Sequence, residues 1–162
     1  MVELTKLYEY QAALDKTIAE NHHVSYETTK TSRTLALLVE IGECLNETRC
    51  FKYWSNKGPS PKEVILEEYV DGLHFFLSLG IEINTEFKSV EISSNEGELN
   101  EQFLTLYELV AQFALHRNEI NYIKAFSYFL NLSQSLGFTF KEVEDAYLKK
   151  LDTNYKRQEN NY

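Results

Sequence analysis

Apolar residues return every three or four positions along most of the chain, which is the spacing of one helix face and not the alternation of a strand. Leu4, Leu7, Tyr8, Gln11, Leu14 and Ile18 mark a first helix, and Leu35, Leu38, Val39, Gly42 and Leu45 a second. Ser60-Pro61-Lys62-Glu63 reads as a helix start, with serine as N-cap, proline at the first helical position and glutamate closing a capping box. Gly80 then reads as the stop, so the pattern predicts a helix over 61–79. Phe103, Leu106, Leu109, Val110 and Phe113 predict a helix over 99–117, and Ile123, Phe126, Phe129 and Leu130 another over 119–136, ended by Gly137. Thr139 and Glu142 form a second capping box with Phe138 stapled onto Val143, which starts the last helix near 140.

Two stretches depart from this pattern. In residues 82–98, Ile83, Phe87, Val90 and Ile92 lie among Asn, Ser, Thr and Gly without a helical period, as in a loop or short hairpin. The polar run from Arg157 to Tyr162 is expected to fray. With no repeat and no low-complexity linker, the prediction is an all-α, single-domain bundle of about six helices over 1–162, carrying one irregular insert near 82–98.

Composition narrows the class further. The 162 residues include only 6 Gly, 2 Pro and 2 Cys, which excludes collagen-like, low-complexity and disulfide-scaffold chains. Cys44 and Cys50 are expected to be reduced packing residues. Sixteen Lys and Arg against 25 Asp and Glu give a net charge of −9, a field that repels phosphate backbones and acidic membranes, so neither a nucleic acid nor a membrane is an expected partner. No apolar run approaches the roughly 18 residues of a membrane span. The opening Met-Val-Glu-Leu-Thr-Lys lacks the basic and apolar blocks of a secretory signal, which makes the cytoplasm the expected location.

The candidate chemistry is acidic. Glu40 and Glu43 are three positions apart, as are Glu68 and Asp71, so each pair shares a helix face one turn apart. A lone Glu-x-x-Glu is commonly a solvated face. Here Leu37, Leu38, Val39 and Ile41 surround the first pair, and Val64, Ile65, Leu66, Val70, Leu73, Phe75 and Phe76 surround the second. Acids turned inward on facing helices repel one another unless cations neutralise them, and four carboxylates with at most one His suit hard ions such as Mg²⁺ or Mn²⁺ better than Zn²⁺. A di-iron bundle would need two Glu-x-x-His units. Only Asp71-Gly72-Leu73-His74 approximates one, and His116 has Phe113 three positions before it.

Glu40-Ile-Gly-Glu43 followed by Glu68-Tyr-Val-Asp71 resembles the E-x-x-E … E-x-x-D signature of the all-α NTP pyrophosphatases. Gln11-Ala-Ala-Leu14-Asp15, Phe51-Lys52-Tyr53-Trp54-Ser55, the extension Asp71-Gly-Leu-His74-Phe75, and Tyr147-Leu-Lys-Lys150 with Asn154, Arg157 and Gln158 narrow the resemblance to the dimeric dUTPase family, in particular its short members from staphylococcal phages. The chain departs from the family tail at Leu151, where Asn is usual, and at Asn161, where Gly is usual.

The resemblance implies a dUTP diphosphatase that hydrolyses dUTP, and dUDP, to dUMP by Mg²⁺-activated attack of water at the β-phosphorus. Glu40, Glu43, Glu68 and Asp71 would hold two or three Mg²⁺ ions, with Mn²⁺ as a substitute, and Glu43, or alternatively Glu40, would be the base. Residues 147–162 would be a phosphate-binding tail, in which Lys150, Asn154 and Arg157 fall on one helix face; Lys52 and Lys57 would be secondary phosphate ligands. Gln11 would read uracil beside Trp54 and Asn21, Phe75 would pack on the deoxyribose, and His74 would orient an acidic ligand by donating to it. The family also implies a homodimer and, for phage members, a host-cell cytoplasmic location and a pathogenicity-island repressor as partner. The alternatives are a related house-cleaning pyrophosphatase preferring dCTP, or a helical interaction protein that binds a regulatory repressor through 82–98.

Overall fold

In the computed structural model, which describes residues 1–162, the helical periodicity becomes six helices: α1 Thr5–His22, α2 Tyr26–Thr48, α3 Lys62–Glu82, α4 Leu99–Leu115, α5 Glu119–Ser135 and α6 Phe140–Glu159. The architecture is all-α, as the apolar spacing predicts. No helix is long and apolar enough to cross a membrane. Helix α3 lies at the centre, packed by α1, α2 and α6. From Tyr69 to Gly80 only Asp71 and Phe75 are not fully buried, so α3 is apolar nearly all round because it has neighbours nearly all round. Large side chains such as Tyr69, Phe76, Phe103, Phe126 and Tyr147 fill the spaces between helices, each contributing roughly 1.5–3 kcal/mol by leaving water.

Local signals set several helix ends. Thr139 and Glu142 close the capping box of α6, and Phe138 and Val143 both enter the core. Gly137 takes φ +82 after α5, a left-handed turn that an L side chain rarely adopts. Ser25 and Thr28 form a further capping box at α2, and Asn118 caps α5.

Four expectations are corrected. Ser60 does not cap α3, whose N-cap is Pro61 without a side-chain bond; the Ser60 hydroxyl donates instead to Glu47 Oε2 and ties the connector back to α2. Gly80 does not end α3, which continues to Glu82. It is needed for close approach, because a Cβ there would lie 2.2 Å from Tyr122 Oη. The buried stripe of α2 is Thr34, Leu37, Ile41, Cys44 and Thr48, one step out of phase with the predicted one, and Leu35 and Val39 are exposed. Branched apolar residues occupy both faces of this helix, so periodicity alone could not choose between them. The chain end does not fray at Arg157, because α6 runs to Glu159 and Asn21 Nδ2 donates to Gln158 Oε1 at 3.1 Å.

The insert is irregular, as its sequence predicts, but it is tied down by a pairing outside itself. Its strand β2, Ser89–Val90, pairs antiparallel with β1, Val2–Glu3, in the register Val2 to Val90. The N-terminus thereby fastens the insert to the start of α1. Cys44 is buried and Cys50 half-buried, and both are free thiols.

Candidate active site

The two acidic pairs meet where α2 packs along α3, the most extensive helix contact in the molecule. One carboxylate oxygen from each of Glu40, Glu68 and Asp71 lies within 4.8 Å of the others. Glu40 Oε2 and Glu68 Oε2 are buried and have no hydrogen-bond partner. Glu43 stands at the exposed rim of the group.

The electrostatics follow from this crowding. Burial, then the charges of Asp71, Glu43 and Glu68, push the Glu40 carboxyl up to about 7. Burial and the neighbouring Glu43 and Asp71 push Glu68 up to about 7, with Lys150 opposing. Asp71 is raised by burial despite Lys150. Buried acids with unpartnered oxygens are costly, and a divalent cation among them would satisfy oxygens the protein leaves bare. The residues present therefore fit a hard cation.

Lys150 already supplies one positive charge. Its Nζ donates to Glu67 Oε1 at 2.9 Å and lies 3.2 Å from Asp71 Oδ1, and its side chain is only 9% exposed. Burial lowers its pKa, but the bonds and charges of Glu67 and Asp71 outweigh that and raise it. Lys150 therefore faces the acids, away from the open face where Asn154 and Arg157 stand.

Beside the acids a cleft of about 580 Å³ runs between α1, the start of α2, α3 and α6. Gln11, Phe75, His74, Glu40, Asp71, Asn154 and Arg157 all line it, so four segments of the sequence reading converge on one space. Lys52, Lys57 and Trp54 are not in this lining; they lie on the connector after α2, where Trp54 packs edge-on with Phe51 and Tyr53 and is 64% exposed. Asn21 lies beyond the lining, paired with Gln158.

The floor of the cleft is a hydrogen-bond chain. Gln11 Nε2 donates to Asp15 Oδ1 at 2.9 Å, while Gln11 Oε1 accepts from Tyr147 Oη at 2.9 Å and faces His74 Nδ1 at 2.6 Å. An amide oxygen can only accept, so His74 carries its proton on Nδ1 and leaves Nε2 bare; that atom is buried and unpartnered. Burial, then the charge of Lys150, hold the imidazole down at about 3, so it is neutral. His74 is thus bonded to Gln11 and stacked on Tyr147, and it donates to no acid, contrary to the expected role.

Sequence reasoning passed over Tyr26, Arg33 and Ser78, which also line the cleft, and assigned no role to Asp15. Tyr26 Oη donates to Asp15 Oδ2 at 2.9 Å, and Arg33 reaches Tyr26 O at 2.6 Å and Glu82. Asp15 at four positions after Gln11 was a legible signal; Tyr26 and Arg33 were not, because their roles depend on how α2 turns back over α1. Glu82 joins Arg33 and Arg117. Burial raises its carboxyl, but the two arginines win and hold it low.

Comparison with known proteins adds the assignment. A family model described as dUTPase matches residues 3–162, whereas no curated protein matches. The match spans both acidic pairs, the cleft and the tail, and lends nothing to the dCTP-preferring or interaction-only alternatives. Members of the family generally depend on a divalent metal, in keeping with the acidic cluster. The chain belongs to this all-α dUTPase family and is a nucleotide pyrophosphohydrolase that converts dUTP to dUMP and pyrophosphate.

Proposed function

We propose that the cleft holds dUTP with its base against α1 and its triphosphate toward the acids, and that Mg²⁺, with Mn²⁺ as a substitute, is the ion of the site. The observation that carries this reading is the triad of Glu40, Glu68 and Asp71 with two buried, unpartnered oxygens beside the cleft. These three would hold the metal, in two or three ions with help from Glu43. A divalent cation bound there supplies charge neutralisation on the phosphate oxygens and lowers the pKa of water.

The chain's own residues do the rest. Glu43, at the rim and outside the tight triad, takes the proton of the attacking water, with Glu40 as the alternative base. Asn154 and Arg157 bind phosphate oxygens from the α6 side, and Lys150 joins them once it leaves an acid partner. Gln11 reads uracil and Phe75 packs against the deoxyribose, leaving no space for a 2′-hydroxyl. Asn21 acts through the tail, by its hydrogen bond to Gln158. Trp54, Lys52 and Lys57 reach the substrate by movement of the connector or from a second copy of the chain. dUDP, which retains the β-phosphorus, is also a substrate.

A homodimer forms on the α2–α4 side, where Leu35, Val39 and Leu104 are 58%, 56% and 73% exposed. The test of the activity is pyrophosphate release from dUTP, dCTP, dTTP and UTP with Mg²⁺. Turnover of dUTP far above the other three is expected; equal turnover of dCTP would contradict the reading of the base site.

A further inference from the structure

A buried polar network lies under the base end of the cleft, and its role is open. Gln11 is 4% exposed, and its amide is held at both ends: the NH₂ by Asp15, the carbonyl by His74 and Tyr147. A carboxylate only accepts, so with Asp15 in place the amide cannot turn over without setting oxygen against oxygen. One N–H of Gln11 remains unused, and that is what the amide offers a ligand. Asp15 is itself held, because Tyr26 Oη donates to its other oxygen at 2.9 Å. Tyr26 is fixed in turn by Arg33, whose guanidinium lies 5.0 Å from the ring centre and donates to the Tyr26 carbonyl at 2.6 Å. Arg33 is pinned by Glu82.

We infer that Tyr26 is a positioning residue for nucleobase selection: by holding Asp15 it fixes the Gln11 amide with an N–H, and not a carbonyl, toward the base. This rests on the reading of Gln11 as the residue that meets uracil. An N–H pairs with a carbonyl oxygen of uracil. A reversed amide would present its oxygen, which pairs with the amino group of cytosine instead. Without the tyrosine hydroxyl the Asp15 carboxylate is free to rotate, and the amide loses the one acceptor among the three partners that fix its orientation, with only His74 and Tyr147 left to oppose reversal. Tyr26 touches no substrate atom in this account; it acts through two residues.

The test is Tyr26→Phe, which keeps the ring under Arg33 and removes only the hydroxyl. Steady-state kinetics with dUTP and dCTP should show KM for dUTP rising about fivefold, with a smaller change in kcat, and the dUTP to dCTP ratio of kcat/KM falling by about tenfold, as loss of one net hydrogen bond allows. Asp15→Asn supplies the second measurement. Because the hydroxyl acts through Asp15, adding Tyr26→Phe to Asp15→Asn should change the ratio by less than about twofold. An unchanged ratio in Tyr26→Phe, or an equal effect in both backgrounds, overturns the assignment while leaving the activity intact. A wild type with no preference for dUTP overturns the reading of Gln11 as well. Tyr26→Phe variants that lose thermal stability but keep the full ratio mark the tyrosine as structural and overturn the proposal.

Discussion

Lys150 Nζ lies 3.2 Å from Asp71 Oδ1, so the acidic site carries one internal positive charge where two pairs of carboxylates meet. It is shared between Asp71 and Glu67 and makes no ion pair with Glu40 or Glu68. Lys150→Met should therefore have two opposite effects. The metal-free protein should lose about 2 kcal/mol, read in urea unfolding, because Asp71 is left without its charge partner. Binding of Mn²⁺ without nucleotide should tighten at least about threefold, because a competing cation has gone. Weaker Mn²⁺ binding in this variant would mean that Lys150 organises the acids for the ion.

The raised carboxyls set a pH dependence. Glu40 and Glu68 hold protons up to about 7 in the folded chain but would release them near the ordinary carboxylate range when unfolded. Groups raised in this way give stability that is present below the unfolded value and lost as pH climbs through 7. His74, held near 3, works in the opposite sense, adding stability as pH rises to its unfolded value near 6.5. Its contribution is the same with and without metal, so the difference between the two melting curves isolates the acids. Between pH 6.5 and 8 the metal-free melting temperature should fall, and Mg²⁺ should raise it more at pH 8 than at pH 6. Equal Mg²⁺ shifts at both values would contradict the burial of these acids.

Gly80→Ala tests the centre of the fold. The added methyl would meet the Tyr122 ring and hydroxyl, which donates to Phe76 O and bonds Tyr8 Oη. A rigid aromatic fixed at its far end cannot swing away cheaply. The substitution should cost about 2–3 kcal/mol, a fall in melting temperature of roughly 5–10 °C.

Arg157→Ala separates binding from folding. Arg157 is exposed, stands over the Tyr162 ring and lines the cleft, with no ion pair to an acid. KM for dUTP should rise at least about tenfold while the melting temperature moves by less than about 2 °C. A large fall in melting temperature would mark the tail as structural.

The helices and the site were legible in the sequence to different depths. Six helices follow from apolar spacing, and the start of α6 follows from Thr139 and Glu142, because a capping box is a local device. Ser60 failed as a cap because its side chain is turned toward Glu47, to which its hydroxyl donates and which only the folded connector brings near. Gly80 failed as a stop because its role is contact with Tyr122, forty-two positions away in sequence and visible only in three dimensions. The insert was legible as irregular, but its pairing was not, since its partner strand is at the far N-terminal end of the sequence. At the site, acids in apolar company announced themselves, whereas the ties of Lys150 to Asp71 and of His74 to Gln11 are tertiary facts.

The central claim is that Glu40, Glu68 and Asp71 form a cation site on which turnover depends. Its most direct test is dUTP hydrolysis measured against Mg²⁺ concentration for the wild type and Glu68→Gln. The account predicts saturable dependence on Mg²⁺ in the wild type, no turnover after chelation, and a loss of at least about a hundredfold in the folded variant. Full turnover in the presence of a chelator, or a Glu68→Gln variant as active as the wild type, would contradict it.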